Sequence, residues 1–182
     1  MLMDPYALEN RAGLPDALQA LIDTIPRSEW DSHPNFGGLV QFWMERHLMF
    51  RRVTETLHSD AQSAMSGKME RAVYNRRLQS HAGLLLNGLH EHHHIEDHHY
   101  FPQLVGIAPE IERALDLLEA DHEAIDPMLS SLADHMTRVL REDSSLAELD
   151  EVLVGFNTLL DRHLVDEEEV VVPVVLKYGF TG

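Results

Sequence analysis

Apolar residues recur at steps of three and four along most of the chain, which is the pattern of helices that bury one face. Alternating apolar and polar runs closed by Asn-Gly or Asp-Gly turns, which would indicate strands, do not occur in the sequence. Breaks in the helical pattern delimit four predicted long helices at residues 38–65, 68–105, 109–140 and 145–177. Each would be about 40 Å long or longer, and short connections make successive helices antiparallel neighbours. The sequence therefore predicts an all-α fold, an antiparallel up-down-up-down four-helix bundle over residues 36–178.

The first 35 residues do not continue this pattern, and we expect residues 1–35 to form a short N-terminal extension that is partly helical or irregular. Pro15 can occupy the first position of a short helix that runs to about Thr24. At the other end of the chain, Ser145 and Glu148 have the spacing of a capping box, which predicts the start of the fourth long helix.

Length and charge narrow the class of protein. A chain of 182 residues corresponds to about one domain. Fourteen Lys and Arg against 31 Asp and Glu give a net charge of −17, which disfavours nucleic acid and anionic membranes as partners. Apolar runs stay short of the roughly 20 residues that a membrane-spanning helix needs, and the first residues do not resemble a signal peptide. We therefore expect a cytoplasmic protein.

Histidines are the most informative residues in the sequence. The chain has 13 of them and no cysteine, so any metal ion would be held by nitrogen and oxygen. Each predicted long helix carries one histidine within its apolar stripe, and in two helices a glutamate follows one turn later on the same face. Because an unpaired buried carboxylate costs several kcal/mol, bound metal ions explain this combination best. The candidate ligands are His47, His92, Glu96, His122, His163 and Glu167.

An internal repeat supports this set. The pattern His92-x3-Glu96-x5-Pro102 recurs 71 residues later as His163-x3-Glu167-x5-Pro173. The acid that follows each glutamate recurs as well, as Asp97 and Glu168. Two helical hairpins, each with one histidine followed by a His-x3-Glu pair, would therefore converge on one central site. Two metal ions that share the glutamates would each have about five ligands.

The second predicted helix offers two registers. One stripe comprises Leu85, Leu89, His92, Glu96 and Gln103; the other comprises Ala82, Leu86, Leu89, His93, Tyr100 and Leu104. The pair His93 and Asp97 also has ligand spacing, but only the first register has a counterpart in the fourth helix, where Leu164 takes the place of His93. The repeat therefore favours His92 and Glu96. The neighbouring histidines are then expected to be solvated or to support the ligands; they are His90, His94, His98 and His99.

Other interpretations compete with this one. Ferritin-like bundles use Glu-x-x-His pairs, and such pairs occur as Glu91 with His94 and as Glu119 with His122. A surface metal buffer would use the histidine cluster at 90–99 and would bind nickel or zinc weakly. A bundle without metal would need polar networks in its core.

The sequence resembles the hemerythrin-like HHE cation-binding family over about residues 36–178. The resemblance rests on Trp43 to His47, His92 to Asp97, Phe101-Pro102, Asp121 to Glu123, His163 to Glu168 and Val172-Pro173. It implies a non-haem di-iron centre, two Fe ions with carboxylate and oxo or hydroxo bridges, for which Zn or Mn could substitute. It also implies a small-molecule partner, namely O2, hydrogen peroxide or nitric oxide.

One position departs from the oxygen-carrying members of that family. Where they have a second histidine one turn after the third-helix ligand, this sequence has Asp126, followed by Pro127, which also predicts a kink. Four histidine ligands instead of five argue against reversible oxygen carriage. The predicted function is handling or sensing of oxidative or nitrosative stress, and the resemblance is compatible with a peroxide-decomposing, catalase-like or oxidase activity. The alternative is a non-enzymatic metal or redox sensor, or an iron- or zinc-binding module.

Overall fold

The structure, a computed structural model, describes residues 4–19 and 25–182. The α-helices are α1 (Asp16–Gln19), α2 (Gly38–Met65), α3 (Arg71–Ile95), α4 (Phe101–Ile107), α5 (Glu112–Leu140) and α6 (Leu146–Tyr178). Short 3-10 turns occupy Arg27–Glu29 and Pro109–Ile111, and a π-helical turn at Glu96–Tyr100 joins α3 to α4. The described ranges contain no strand, which confirms the predicted all-helical fold.

The predicted start of the last helix is confirmed in detail, and the helix ends one residue beyond the predicted end at 177. The Ser145 hydroxyl accepts a hydrogen bond from the backbone N–H of Glu148 at 3.1 Å, and the Glu148 side chain accepts from the backbone N–H of Ser145. At the other end, Gly179 adopts a left-handed conformation with φ 63°, and its N–H donates to the carbonyl of Val175. Glycine is the residue that adopts this conformation without strain.

The long helices pack side by side. Helix α2 contacts α3 and α6, and α5 contacts the same two helices. Along α2 and α6 the contacts run in opposite order, since Gln62 meets Asp150 near one end and Arg51 meets Asp161 further along. The two helices are therefore antiparallel. Among the described residues, no helix combines the length and the apolar character required to cross a membrane.

Two apolar clusters fill the interior. One contains Trp43, Phe101 and Leu115, and the other contains Phe50, Leu85 and Phe156. Each such side chain contributes about 1.5–3 kcal/mol when it is fully buried. Along α2, His47 lies between Trp43 of one cluster and Phe50 of the other, so a layer of polar side chains separates the two apolar clusters.

The described part of the N-terminal extension packs onto the helices. Leu8 belongs to the second apolar cluster, whereas Leu14, Leu18 and Trp30 belong to the first. Helix α1 begins directly after Pro15. The predicted end of this helix near residue 24 lies outside the described residues.

The π-helical turn corrects one expectation. The predicted stripe continued from Glu96 to Gln103, but Gln103 is only partly buried and Leu104 is fully buried. In the turn, the N–H of Phe101 donates to the carbonyl of Glu96, five residues earlier. This wider turn adds one residue to the helical repeat and shifts the inward face by one position. An α-helical period carried straight through this segment was therefore wrong beyond Glu96.

Candidate metal centre

The polar layer consists of five imidazoles and two carboxylates with exposures of 8% or less. The seven residues are His47, His92, His93, Glu96, His122, His163 and Glu167. Six of them are the sequence-predicted ligands, and His93 is the addition. They come from all four long helical segments, because each segment places its polar residues one turn away from apolar ones on the same face.

One half of the centre contains two histidines. The Nε2 atoms of His47 and His92 lie 3.1 Å apart. Oε1 of Glu96 lies 3.0 Å from His92 Nε2, and Oε1 of Glu167 lies 3.4 Å from His47 Nε2. These four side chains have ligand atoms within 4.8 Å of one another, which makes them a compact N2O2 donor set.

The other half contains three histidines. His93, His122 and His163 have ligand nitrogens within 4.8 Å of one another, and the rings of His93 and His122 stack with centroids 4.0 Å apart. Oε2 of Glu96 lies 3.7 Å from His122 Nε2, and Oε2 of Glu167 lies 3.6 Å from His163 Nε2. Each glutamate thus directs one oxygen toward each half.

Many donor atoms of the centre have no partner within the described protein. These atoms are Nδ1 and Nε2 of His93, Oε1 and Oε2 of Glu96, Nε2 of His122, Nε2 of His163 and Oε2 of Glu167. Glu96 Oε1 is close to His92 Nε2, but the two atoms are not in hydrogen-bond geometry. Buried polar atoms left unpaired cost free energy. In addition, the ion-pair neighbours of Glu96 and Glu167 are histidines, so negative charge on these carboxylates is not balanced by a permanent positive charge. Cations coordinated by these atoms would remove both costs, so the residues fit a pair of metal ions.

The pKa values in the layer follow from burial. Burial lowers the pKa of His92 to about 3 and lowers the pKa values of His93 and His163 as well. These imidazoles are therefore neutral, which is the form that binds metal. Burial and the neighbouring Glu167 raise the pKa of Glu96. Burial alone would raise the pKa of Glu167 too, but the interaction of Glu167 with the neighbouring His47 outweighs burial and holds that pKa well below its usual range.

Three of the histidines are oriented by carboxylates behind them. The Nδ1 atoms of His47, His122 and His163 lie 3.0, 2.7 and 3.2 Å from oxygens of Glu168, Asp97 and Asp121, respectively. An Nδ1–H that donates to a carboxylate leaves Nε2 as the free lone pair that faces the centre. In the sequence, Asp97 and Glu168 stand out only as recurring acids, and Asp97 also as a ligand of the rival register. The sequence gives no signal that either lies behind a histidine, or that Asp121 is the partner of His163.

His93 was considered in the sequence only as part of a rival register. The structure buries both His92 and His93, and it leaves Asp97 at the edge of the layer. The π-helical turn begins directly after these histidines, at Glu96. The only signal for a fifth histidine in the sequence is the apolar stripe that leads to His93, and the repeat argues against it. The layer therefore contains five imidazoles where four were expected, so the argument against reversible oxygen carriage, which rested on four histidines, no longer holds.

Other candidate residues stay outside the centre. Asp126 is exposed, so it adds no donor to the layer. The surrounding histidines are exposed as well, and they are His90, His94, His98 and His99. Glu91 and Glu119, which the ferritin-like alternative needs, are also exposed. The structure therefore does not assemble the ferritin-like set.

Comparison with known proteins identifies the class. The model of the hemerythrin HHE cation-binding domain matches residues 38–175, which are 138 of the 182 residues. The chain belongs to this family, and it therefore contains a domain of a cation-binding class. This membership confirms the resemblance found in the sequence.

Comparison with individual proteins gives less information than the family model. An uncharacterized protein from Haemophilus influenzae is 32% identical over 78 residues, which cover 42% of this chain and 44% of that protein. The chain thus matches less than half of the length of this relative. No solved structure is significantly similar to the chain.

Proposed function

We propose that this protein is a non-haem di-iron protein that binds or reacts with O2, hydrogen peroxide or nitric oxide. The observation that carries the proposal is the orientation of Glu96 and Glu167. Each directs one carboxylate oxygen to the two-histidine half and the other oxygen to the three-histidine half. Two carboxylates shared in this way suit two metal ions. The proposal includes a closed antiparallel four-helix bundle around the centre and a cytoplasmic location.

The side chains of the chain would hold the two ions as two donor sets. His47 and His92 would serve one ion, and His93, His122 and His163 would serve the other, with the two glutamates shared. Two bound irons would supply one-electron redox chemistry and a binding position for a small molecule. Imidazole and carboxylate donors also accept zinc and manganese, so the donor set alone does not select iron.

The surrounding residues prepare the centre. The carboxylates behind His47, His122 and His163 keep those rings in the tautomer whose Nε2 is free. The indole Nε1 of Trp43 donates a hydrogen bond to Oε1 of Glu167 and so limits the orientations of that carboxylate. The two apolar clusters on either side keep bulk water away from the layer.

The first experiment measures metal per chain and the absorption spectrum on the same tag-free protein purified after iron supplementation. We expect about two irons per chain and near-ultraviolet charge-transfer absorption. His163→Ala should lose iron because it removes a donor of the three-histidine half, whereas His94→Ala, an exposed histidine on α3, should keep both ions. Wild-type protein that binds little iron, or a His163→Ala variant with unchanged iron, would contradict the proposal.

Turnover then separates an enzyme from a sensor. Repeated consumption of hydrogen peroxide by the loaded protein would indicate an enzyme. A spectral change with nitric oxide or O2 that reaches one equivalent and stops would indicate a sensor or binding protein. The second candidate function is that of a sensor. It is supported by contacts of the N-terminal extension with Asp121 and Glu168, the carboxylates behind His163 and His47.

A further inference from the structure

Two arginines of the N-terminal extension reach the carboxylates that orient the candidate ligands. Arg11 contacts Asp121, which lies behind His163, and Arg27 contacts Glu168, which lies behind His47. Both arginines precede residues 38–175, the part of the chain that matches the family. They therefore lie outside the matched part of the chain.

The side chain of Arg11 is buried and contacts two carboxylates. Its side chain is only 3% exposed, and its guanidinium forms a two-point contact with Asp121, with Nη1 to Oδ1 at 2.7 Å. Its Nε donates to Asp166 Oδ2 at 2.9 Å, and Nη1 also donates to the backbone carbonyl of Tyr6. Such a fork of parallel hydrogen bonds fixes the plane of a carboxylate, which a point charge does not do.

Arg27 plays the corresponding part in the other half. Its Nη2 contacts Oε2 of Glu168, and its guanidinium lies over the ring of Trp30 at 4.7 Å from the ring centroid. Arg51 of α2 approaches the other oxygen of Glu168 at 2.7 Å. Glu168, which is 1% exposed, thus has a cation from the extension and a cation from the bundle.

Charge explains why these contacts matter. Asp121, Asp166 and Glu168 are all buried, and a buried carboxylate that loses its cation keeps an uncompensated charge. Without Arg11, the partner left to Asp121 among the described residues would be His163, a neutral ring that forms one hydrogen bond but supplies no positive charge. The extension thus supplies the positive charge that lets the outer carboxylates hold the ligand histidines in place.

We propose that Arg11 and Arg27 are positioning residues of the metal centre, which act through Asp121 on His163 and through Glu168 on His47, so that docking of the N-terminal extension and metal occupancy favour each other. The inference rests on the proposed metal function. Reciprocity follows from linkage, because an extension that strengthens metal binding must itself be held more firmly when metal is bound.

The test compares three arginine variants. Zn2+ and Fe2+ affinities are measured by chelator competition for wild type, Arg11→Gln, Arg27→Gln and Arg77→Gln. Arg77 serves as the control because it also forms an ion pair with an aspartate. Its partner, Asp60, joins α3 to α2 and is not a residue of the centre. Loss of support behind a ligand typically costs 10–100-fold in metal affinity. We expect about that loss for Arg11→Gln, a smaller loss for the more exposed Arg27, and a change under about twofold for Arg77→Gln.

A second measurement needs no variant. Backbone hydrogen exchange of residues 4–19 and 25–35 is followed in wild-type protein with and without Zn2+, and we expect slower exchange with the ion. Equal metal affinity of wild type and Arg11→Gln would overturn the inference while leaving the proposed metal function intact. So would a hydrogen-exchange rate in these residues that is the same with and without Zn2+. Wild-type protein that binds no metal would instead refute the proposed function.

Discussion

The two halves of the centre differ in the number of imidazoles that line them and in how those imidazoles are held. The half with His47 and His92 has two rings, of which His47 is backed by Glu168. The half with three rings has carboxylates behind His122 and His163, whereas both nitrogens of His93 lack a partner among the described residues. With fewer protein donors in the first half, we expect a small molecule to bind there. A repeated sequence can therefore build an unequal pair of sites.

The largest effect should come from a residue that serves both halves. Glu167→Ala removes one oxygen from each half, so we expect the loss of both metal equivalents per chain. Metal analysis after dialysis measures this. Glu151→Ala, an exposed glutamate on the same helix, should keep both ions. Retention of either ion by Glu167→Ala would show that the glutamate is not shared.

The next effect should be confined to one half. His93→Ala removes a donor from the three-histidine half alone, so we expect the number of tightly bound ions to fall from about two to about one per chain. The adjacent His94 is exposed, and His94→Ala is the matched control. If His93→Ala retains two ions with unchanged affinity, His93 is not a ligand and is only packed against His122 and His163.

A smaller effect concerns the metal-free protein and pH. Burial lowers the pKa of His92 to about 3, whereas the unfolded chain binds that proton near pH 6.5. The contribution of His92 to stability is therefore present above pH 6.5 and is lost as the pH falls toward 3, by at most about 1.4 kcal/mol per pH unit. The raised pKa of Glu96 changes stability with pH in the opposite direction. The contribution of His92 is therefore measured as the difference between wild type and His92→Phe, since both contain Glu96.

Chemical denaturation between pH 8 and pH 5 measures this difference. We expect the stability of His92→Phe to fall less steeply with acid than that of wild type, and we expect His94→Ala to follow wild type. Parallel curves for His92→Phe and wild type would mean that His92 is protonated as easily in the folded protein as in the unfolded chain.

The smallest effect lies outside both halves. Ser145→Ala removes the hydroxyl that caps α6, which should cost about 1 kcal/mol of unfolding free energy. Because this end of α6 is remote in sequence from His163 and Glu167, the metal content should stay at the wild-type value. Reduced metal content in Ser145→Ala would indicate that any loss of stability empties the centre, and the variants above would then need to be matched for stability.

Much of this molecule could be predicted from local signals. Helix α2 begins and ends where the periodicity placed it, and the capping box at Ser145 marks the start of α6. The inward faces of the helices also predicted that His47 and His163 would be buried. Periodicity succeeds here because helix ends and amphipathic faces depend on residues within one or two turns.

The π-helical turn shows where such reasoning fails. Pro102 and Pro173 occupy equivalent places in the repeat, but α6 continues through Pro173 while the other segment contains a wider turn before Pro102. The local sequence is therefore insufficient to decide between the two. As a result, the repeat identified His92 correctly as inward-facing but excluded His93, which the turn and the packing around it bring into the same layer.

The sequence by itself determined the helices, their apolar faces and the presence of imidazoles and carboxylates on those faces, because each of these depends on residues close together in the chain. Only the tertiary structure decided which oxygen of each glutamate faces which half, that His93 joins the centre, and that Arg11 meets Asp121, 110 positions away. The physical reason is that a buried charge must find its partner in space, and that partner can come from any segment that the packing brings near.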